Sequence, residues 1–485
     1  MNNEEIIISC FTHYSIIEFT DIISKKSSLE NLDKRLKEWE YLLANGLETK
    51  SFFKKVFNRK RTNSHLSHNL HYYKAKFFPR LARCCLNIAY SESKKGHFKV
   101  VDNFVGSGTT LVEASLLGME SRGYDIDPLS VQISNQKINF LQSETLDLAL
   151  QEVLRKFQFE YSSQKENSIS DSNYSFEIPS WLKKNTKFTT ELESYLRKSI
   201  GHHKSQLSLI DLDDDSLTFI QTLLSDAISR KVKLRFLGTG SGRFSLNVIK
   251  SEINDLFEKN LELYLKKFRA KKWLFNYLGL PKTNSKAEIK DAKHLSKNSS
   301  KFDFLLTSPP YIPAASGRES YAKARALAMT SLDVTKPSEI DSILRESMGS
   351  MNNKNGTSFT DLTAKEKEVY EWLYNDQLRK IKASPTAKYF LDIRKSLLAM
   401  KNILKDDATA IFVISKQSTF YEMKTKKQLF TIDLAEIFAE EAEKTGFKVE
   451  KTLDLKLKKN NRNARPRSID DYYESIIFLR NRQEG

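Results

Sequence analysis

Two short stretches of the chain carry residue types at spacings that could do chemistry. The first is Asp102-Asn103-Phe104-Val105-Gly106-Ser107-Gly108-Thr109-Thr110, which follows the apolar pair Val100-Val101. It reads as a strand running into a tight loop and then a helix. Glycines let such a loop bring its backbone close to a bound cofactor, and open α/β sheets bind ligands at the carboxyl ends of their strands. Asp125 ends a second short strand 23 residues after Asp102, where an acidic side chain would hydrogen-bond ribose hydroxyls. Together they point to a nucleoside cofactor. Position 111 is Leu, so the third glycine that packs a dinucleotide loop against its helix is absent, and NAD is disfavoured.

The second stretch is Thr307-Ser308-Pro309-Pro310-Tyr311, at the end of the apolar run Phe302 to Leu306. Two consecutive prolines fix φ and delete two N–H donors, which leaves a rigid loop presenting carbonyl oxygens. Such a loop suits the exocyclic amine of a nucleobase. That amine is a poor nucleophile while conjugated to the ring. Accepting its hydrogens on Ser308 and the Pro309 carbonyl would favour the pyramidal form whose lone pair can attack. Tyr311 would stack on a base that has left its helix.

The elements that must position these loops read as α/β. A helix is expected from Leu111 to Leu117, a strand at Ser121 to Tyr124 and a helix from Leu129 to Leu141, a βαβα unit that implies a parallel sheet. From about 142 to 275 the text is charged and mostly helical, and α/β text resumes near Ile289. A polar insertion follows from about 313 to 385, with a disordered middle expected at Met351 to Ser358. The chain closes with a helix from Tyr389 to Leu404, a strand at Thr409 to Ser415 and a helix at Thr431 to Thr445. Two last strands, Lys448 to Leu457 and Tyr473 to Leu479, are joined by a basic loop.

Lys+Arg 78 against Asp+Glu 61 leaves a formal net charge of +17 over 485 residues, a surplus that favours nucleic acid as partner. In the basic loop, Lys458, Lys459, Arg462, Arg465 and Arg467 alternate with asparagines. Lysine and arginine meet phosphates, while Asn and Arg can read adenine and guanine edges. Three cysteines, Cys10, Cys84 and Cys85, make neither a disulfide framework nor a paired zinc site. With no basic leader and no run of 18 apolar residues, a cytoplasmic, non-membrane protein is expected. The histidines pair only at His68 with His71 and at His202 with His203, so no metal is expected. No Pro-Cys dipeptide supplies the nucleophile of a cytosine-C5 enzyme.

The glycine loop followed by Ser-Pro-Pro-Tyr resembles the motif order of S-adenosylmethionine-dependent amino-group DNA methyltransferases. Ser308 resembles the cytosine-N4 branch; the adenine-N6 branch more often has Asp or Asn there. His68-Asn69-Leu70-His71-Tyr72-Tyr73-Lys74-Ala75-Lys76-Phe77-Phe78-Pro79 is similar to the family's cofactor-side motif. The resemblance covers 65 to 140 and 285 to 312, and more loosely 389 to 480.

It implies an α/β fold, a Rossmann-like methyltransferase sheet with a large helical insertion. The catalytic domain would comprise 63–141, 280–312 and 386–485, after a helical element at 1–62. On position alone, the insertion at 142–279 and a second polar insertion at 313–385 are candidates for target recognition, the latter as a DNA contact. The resemblance assigns Ser308, Pro309, Pro310 and Tyr311 to catalysis. Asp102, Phe104, Gly106, Ser107, Gly108, Thr109 and Thr307 would hold S-adenosylmethionine, with Tyr73, Lys76 and Phe77 at its methionine end. Asp125 would take the ribose, Ile126 a face of adenine, and Asp291-Ala292 the adenine amino edge. The substrate implied is a cytosine flipped from double-stranded DNA. Adenine-N6 methylation, RNA methylation and an inactive DNA-binding module stand as alternatives. Protection of host DNA is the family's usual purpose; whether a cognate restriction endonuclease accompanies the chain, and its oligomeric state, are left open.

Overall fold

A computed structural model describes residues 3–44, 64–73, 76–92, 98–163, 176–236, 244–296, 301–312, 321–350, 361–422, 425, 427–457 and 472–482. Seven strands form the central sheet: β1 (Lys99–Asp102), β2 (Glu120–Asp125), β3 (Ser285–Ile289), β4 (Phe302–Thr307), β5 (Leu404–Ser415), β6 (Phe447–Leu457) and β7 (Tyr472–Asn481). Their order across the sheet is β3-β2-β1-β4-β5-β7-β6. The first five are parallel, and β7 and β6 add on antiparallel. Val100 and Val101 of β1 and Phe304, Leu305 and Leu306 of β4 are fully buried. Continuous apolar runs of this kind belong to parallel strands covered by helices on both faces. The chain steps from β1 to β2 on one side and returns to β4 on the other, which opens a crevice at the carboxyl ends of β1 and β4.

The longer helices are α1 (Asn3–Lys26), α2 (Leu29–Ala44), α3 (Pro79–Glu92), α4 (Thr109–Ser115), α5 (Pro128–Gln142), α6 (Leu146–Ser163), α7 (Thr190–Ser208), α8 (Asp214–Lys231) and α9 (Ile253–Leu278). After β4 come α10 (Tyr321–Ser331), α11 (Pro337–Glu346), α12 (Ala364–Asn375), α13 (Ala383–Ile403) and α14 (Leu434–Lys444). On one face of the sheet, Phe140 of α5 stacks on Phe219 of α8 at 6.1 Å and meets Phe268 of α9 edge-on at 5.6 Å. Leu32, Leu36 and Trp39 of α2 belong to the same buried cluster. The inserted helices and the N-terminal pair therefore share one core with the sheet. On the opposite face α13 and α14 cover β5, with Phe412 against Phe438 at 4.8 Å.

The α/β expectation and the parallel sheet stand. Three local readings need correction. The helix expected from Thr431 begins at Leu434, because Thr431–Asp433 end a strand (Gln428–Asp433) that pairs antiparallel with Gln417–Tyr421. Asp433 then caps α14, accepting the Glu436 N–H at 2.9 Å. Helix α13 begins at Ala383 rather than Tyr389. Its Pro385 lies in the first turn, where an N–H would be unpaired anyway. Strand β3 and a hairpin within the insertion (Val232–Phe236 with Phe244–Val248) were not read from sequence. β3 is a sheet edge, and its polar text Ser-Lys-Ala-Glu-Ile lacks the apolar run of an interior strand.

Helix α4, which carries the glycine loop's chain onward, is anchored by a buried charge. Glu113 is fully buried, with His65 Nε2 and His68 Nε2 at 3.2 and 2.7 Å from one oxygen, while Arg83 Nε donates to the other at 2.8 Å. Burial would raise the Glu113 carboxyl, but Arg83 and the imidazoles hold it well below its ordinary value. Burial, then His65, hold His68 well below the usual histidine range. His65, His68 and Glu113 are a donor set a cation could use; Arg83 already provides the countercharge. His71, three residues on from His68, turns to Ser225 Oγ at 3.0 Å.

Removing one member of a buried ion pair leaves its partner uncompensated. Glu113→Ala should therefore cost about 3–5 kcal/mol of unfolding free energy, read from urea midpoints, and Glu113→Gln distinctly less. Equal midpoints for Glu113→Ala and wild type would show that the hub does not anchor the helix.

Candidate active site

Four adjacent strands deliver the candidate residues to one edge. β1 ends at Asp102 and the glycine loop, β2 at Asp125, β4 at Thr307-Ser308, and β3 just before Asp291. Asp102 is buried, and one of its oxygens accepts the Thr307 hydroxyl at 2.7 Å and the Phe104 N–H at 3.1 Å. Burial pushes its carboxyl up to about 6, against hydrogen bonds from Thr110, Thr307 and Phe104.

The loop between β1 and α4 is held by its carbonyls as well as its amides. Ser134 Oγ of α5 donates to the Gly106 carbonyl at 3.1 Å, and Lys137 Nζ donates to the Ser107 carbonyl at 2.5 Å. Burial holds the Lys137 amine well below its ordinary value. Gly108, at φ +76°, precedes α4, and a Cβ there would lie 2.9 Å from the Ser134 backbone. Only glycine fits. The bulk of Leu111 is accommodated from the opposite side: a Cβ on Gly123 of β2 would sit 2.5 Å from Val105 and 3.1 Å from Leu111. The close packing that a third loop glycine would provide is moved onto the strand.

Asp125 is partly exposed, and its two oxygens accept the Gly106 N–H at 2.9 Å and the Asp127 N–H at 3.0 Å. Burial, then the neighbouring Asp127, push it up to about 7. Ile126 beside it is half-buried. Asp127 caps α5 by accepting the Leu129 N–H at 3.0 Å and forms an ion pair with buried Arg325 of α10. Arg325 also lies over the Tyr73 ring, 4.5 Å from its centre. The Tyr73 hydroxyl lies 3.0 Å from Ser130 Oγ and 3.2 Å from where a Cβ on Gly106 would sit.

In the second loop Ser308 and Tyr311 are half-buried, Pro309 is buried and Pro310 is exposed. The Tyr389 hydroxyl of α13 donates to the Pro310 carbonyl at 2.9 Å. The Tyr311 hydroxyl donates to Glu474 of β7 at 3.2 Å, and burial raises the Glu474 carboxyl.

Tyr73, Asp102, Phe104, Gly106, Ser107, Gly108, Thr109, Asp125, Ile126 and Thr307 thus gather around the first loop. The Phe77 carbonyl accepts the Thr109 hydroxyl at 3.3 Å. Lys76 directs its amine to the His68 carbonyl, and burial, then Lys267 and Lys25, push it down to about 7. Asp291 caps a short 3-10 turn, Ala292–His294, accepting the Lys293 N–H at 2.9 Å, and Ala292 is buried. Lys458, Lys459, Arg462, Arg465 and Arg467 lie outside the described residues. Sequence reasoning missed Lys137, Arg325, Tyr389 and Glu474. A signal existed for one of them: Arg325 interrupts an alanine-rich helix, Ala-Lys-Ala-Arg-Ala-Leu-Ala.

Residues 5–136 match the family model described as DNA methylase, of the N6/N4 methyltransferase group. That span carries the glycine loop and Asp125 and stops before Ser308. Type II methyltransferase M.MvaI of Kocuria varians is 25% identical over 384 residues, 73% of this chain and 77% of that protein. Type II methyltransferase M.MjaII of Methanocaldococcus jannaschii is 32% identical over 197 residues, 39% of this chain and 33% of that protein. Type II methyltransferase M.BsoBI of Geobacillus stearothermophilus is 26% identical over 322 residues, 59% of this chain and 57% of that protein. The chain is similar to amino-group DNA methyltransferases, and the cofactor this similarity implies is S-adenosylmethionine. The residues present fit that group. The loop has no Cβ at Gly106 or Gly108, and an acceptor stands at the end of β2. The Asn103 amide is fully buried with neither its oxygen nor its nitrogen partnered among the described residues.

An ionised Asp125 accepts a ribose hydroxyl better than a protonated one. Burial and Asp127 push the free carboxyl up to about 7, so an Asp125 that takes the ribose gives up a proton on binding below that pH. Affinity for S-adenosylhomocysteine, measured by calorimetry, should strengthen between about pH 6 and pH 8, and Asp125→Asn should flatten the dependence. A wild-type affinity that does not change with pH would remove Asp125 from the ribose.

Proposed function

We propose that this chain is a DNA methyltransferase that moves the methyl group of S-adenosylmethionine to the N4 amine of a cytosine flipped out of duplex DNA. The observation that carries the reading is the Thr307–Asp102 hydrogen bond, which seats the Ser-Pro-Pro-Tyr loop against the glycine loop at one sheet edge. When bound, S-adenosylmethionine supplies an electrophilic methyl group on a sulfonium. The chain's own part is to hold the base. The Pro310 carbonyl is already engaged by Tyr389, so Ser308 Oγ and the Pro309 carbonyl are the acceptors for the amine hydrogens. Tyr311, held at its hydroxyl by Glu474, presents its ring for stacking.

Direct displacement needs no covalent bond to the chain. Alignment of amine and methyl group can lower such a barrier by roughly 7 to 11 kcal/mol. The Ser at position 308 favours cytosine over adenine. On this reading the basic loop around Lys458 to Arg467 meets phosphates, the protein acts in the cytoplasm, and host protection beside a restriction endonuclease is its purpose. No described helix is long and apolar enough to cross a membrane.

Incubation with mixed-sequence duplex DNA and S-adenosylmethionine, then digestion and mass spectrometry of the nucleosides, tests the reading. N4-methylcytosine is the expected product. N6-methyladenine would keep the chemistry and overturn the base, and label on RNA alone would overturn the substrate. Ser308→Ala and Tyr311→Ala should each cut turnover by about 10²-fold or more with duplex binding intact. Wild-type turnover in both would refute the assignment. Tyr389→Phe, which releases the Pro310 carbonyl, should lower kcat about 10-fold with KM for DNA unchanged. An altered KM with full kcat would mean that Tyr389 acts on binding instead.

A further inference from the structure

A cavity of about 420 Å3 lies where the insertion hairpin, the Tyr72-Tyr73 turn and the start of α10 meet, with no glycine-loop residue in its lining. Lys187, Lys233 and Arg325 line it with Tyr72, Tyr73 and Asn247, and among the described residues no aspartate or glutamate lines it. Lys233 and Asn247 are paired across the hairpin, so both project from the same face. The Lys233 amine lies 5.4 Å from the centre of the Tyr72 ring. Tyr72 itself is exposed, while its backbone N–H is fixed by Asp226 at 2.6 Å. Asp127 already compensates Arg325, so Lys187 and Lys233 are the cations that select an anion, an exposed ring beside them selects a base or sugar, and Asn247 adds a hydrogen-bonding amide.

We propose that this pocket seats one nucleotide of the DNA strand, its phosphate between Lys187 and Lys233 and its base or sugar against Tyr72. The inference rests on the reading that duplex DNA is the substrate. A strand is favoured over a free nucleotide by the pocket's place. Its Tyr73 wall adjoins Gly106 of the glycine loop, and its Arg325 wall is the ion-pair partner of Asp127. α10 is the first described helix after the Ser-Pro-Pro-Tyr loop. On this proposal, a strand whose target base enters the Ser308 loop lays a neighbouring nucleotide here. The surplus of +17 adds long-range attraction for the polyanion. The contact is to backbone and stacking face, so it sets the position of the strand and carries no base code.

Lys187 is exposed and Lys233 half-exposed, so alanine at either position leaves the core untouched. Fluorescence anisotropy of a labelled duplex, over a range of salt concentrations, should show the Lys187→Ala/Lys233→Ala protein binding about 10-fold more weakly. The slope of log affinity against log salt should fall by about 1. S-adenosylhomocysteine affinity should stay at the wild-type value. Wild-type duplex affinity and slope in the double variant, with the wild-type protein methylating the same duplex, would overturn the pocket and leave the function standing. A wild-type protein that neither binds nor methylates duplex DNA would take down both. Saturable binding of a deoxynucleoside monophosphate that Lys233→Ala abolishes, with duplex affinity unchanged, would mark a free-nucleotide site and overturn the strand assignment.

Discussion

The Thr307 hydroxyl and the Asp102 carboxylate meet at 2.7 Å across the β1–β4 pair, and the geometry of the whole edge follows from that contact. Asp102 sits at the last position of β1 and turns the glycine loop through its bond to the Phe104 N–H; Thr307 sits at the last position of β4 and launches the proline loop. One buried oxygen therefore sets both loops. Burial makes the contact stringent, because a carboxylate removed from water must keep its donors.

Buried polar and charged side chains are satisfied in the same way around the edge. Lys137 is spent on the Ser107 carbonyl, Arg325 on Asp127, and Glu113 on Arg83 with two histidines. Each would be costly alone. Paired, they fix loop backbones in orientations that a solvent-exposed loop would sample only part of the time. That is the physical meaning of a preorganised site: the polar groups are aimed before any ligand arrives.

The insertions belong to this arrangement rather than hanging from it. Phe140, Phe219, Tyr264 and Phe268 interlock α5, α8 and α9 around one aromatic cluster, so the hairpin that follows α8 is carried on a helix packed against the sheet's own α5. A cavity wall built there moves with the glycine-loop edge, which a separately folded domain could not guarantee.

What the sequence by itself determined was local. Gly106, Gly108 and the Pro309-Pro310 pair announce their loops because φ preference and missing N–H groups are properties of single residues, and apolar runs such as Phe302 to Leu306 announce buried parallel strands. Asp125 was legible because its distance from Asp102 follows from one strand, helix and strand. The polar edge strand Ser285–Ile289 and the two hairpins left no such mark. Tertiary structure alone decided that Tyr389 holds Pro310, that Glu474 holds Tyr311, that His65 and His68 both reach Glu113, and that Arg325 reaches Asp127. Those pairs join side chains far apart in the chain, and no local propensity encodes them. They exist because the sheet order brings their strands and helices to one edge, where a buried polar atom must find whatever partner the topology delivers.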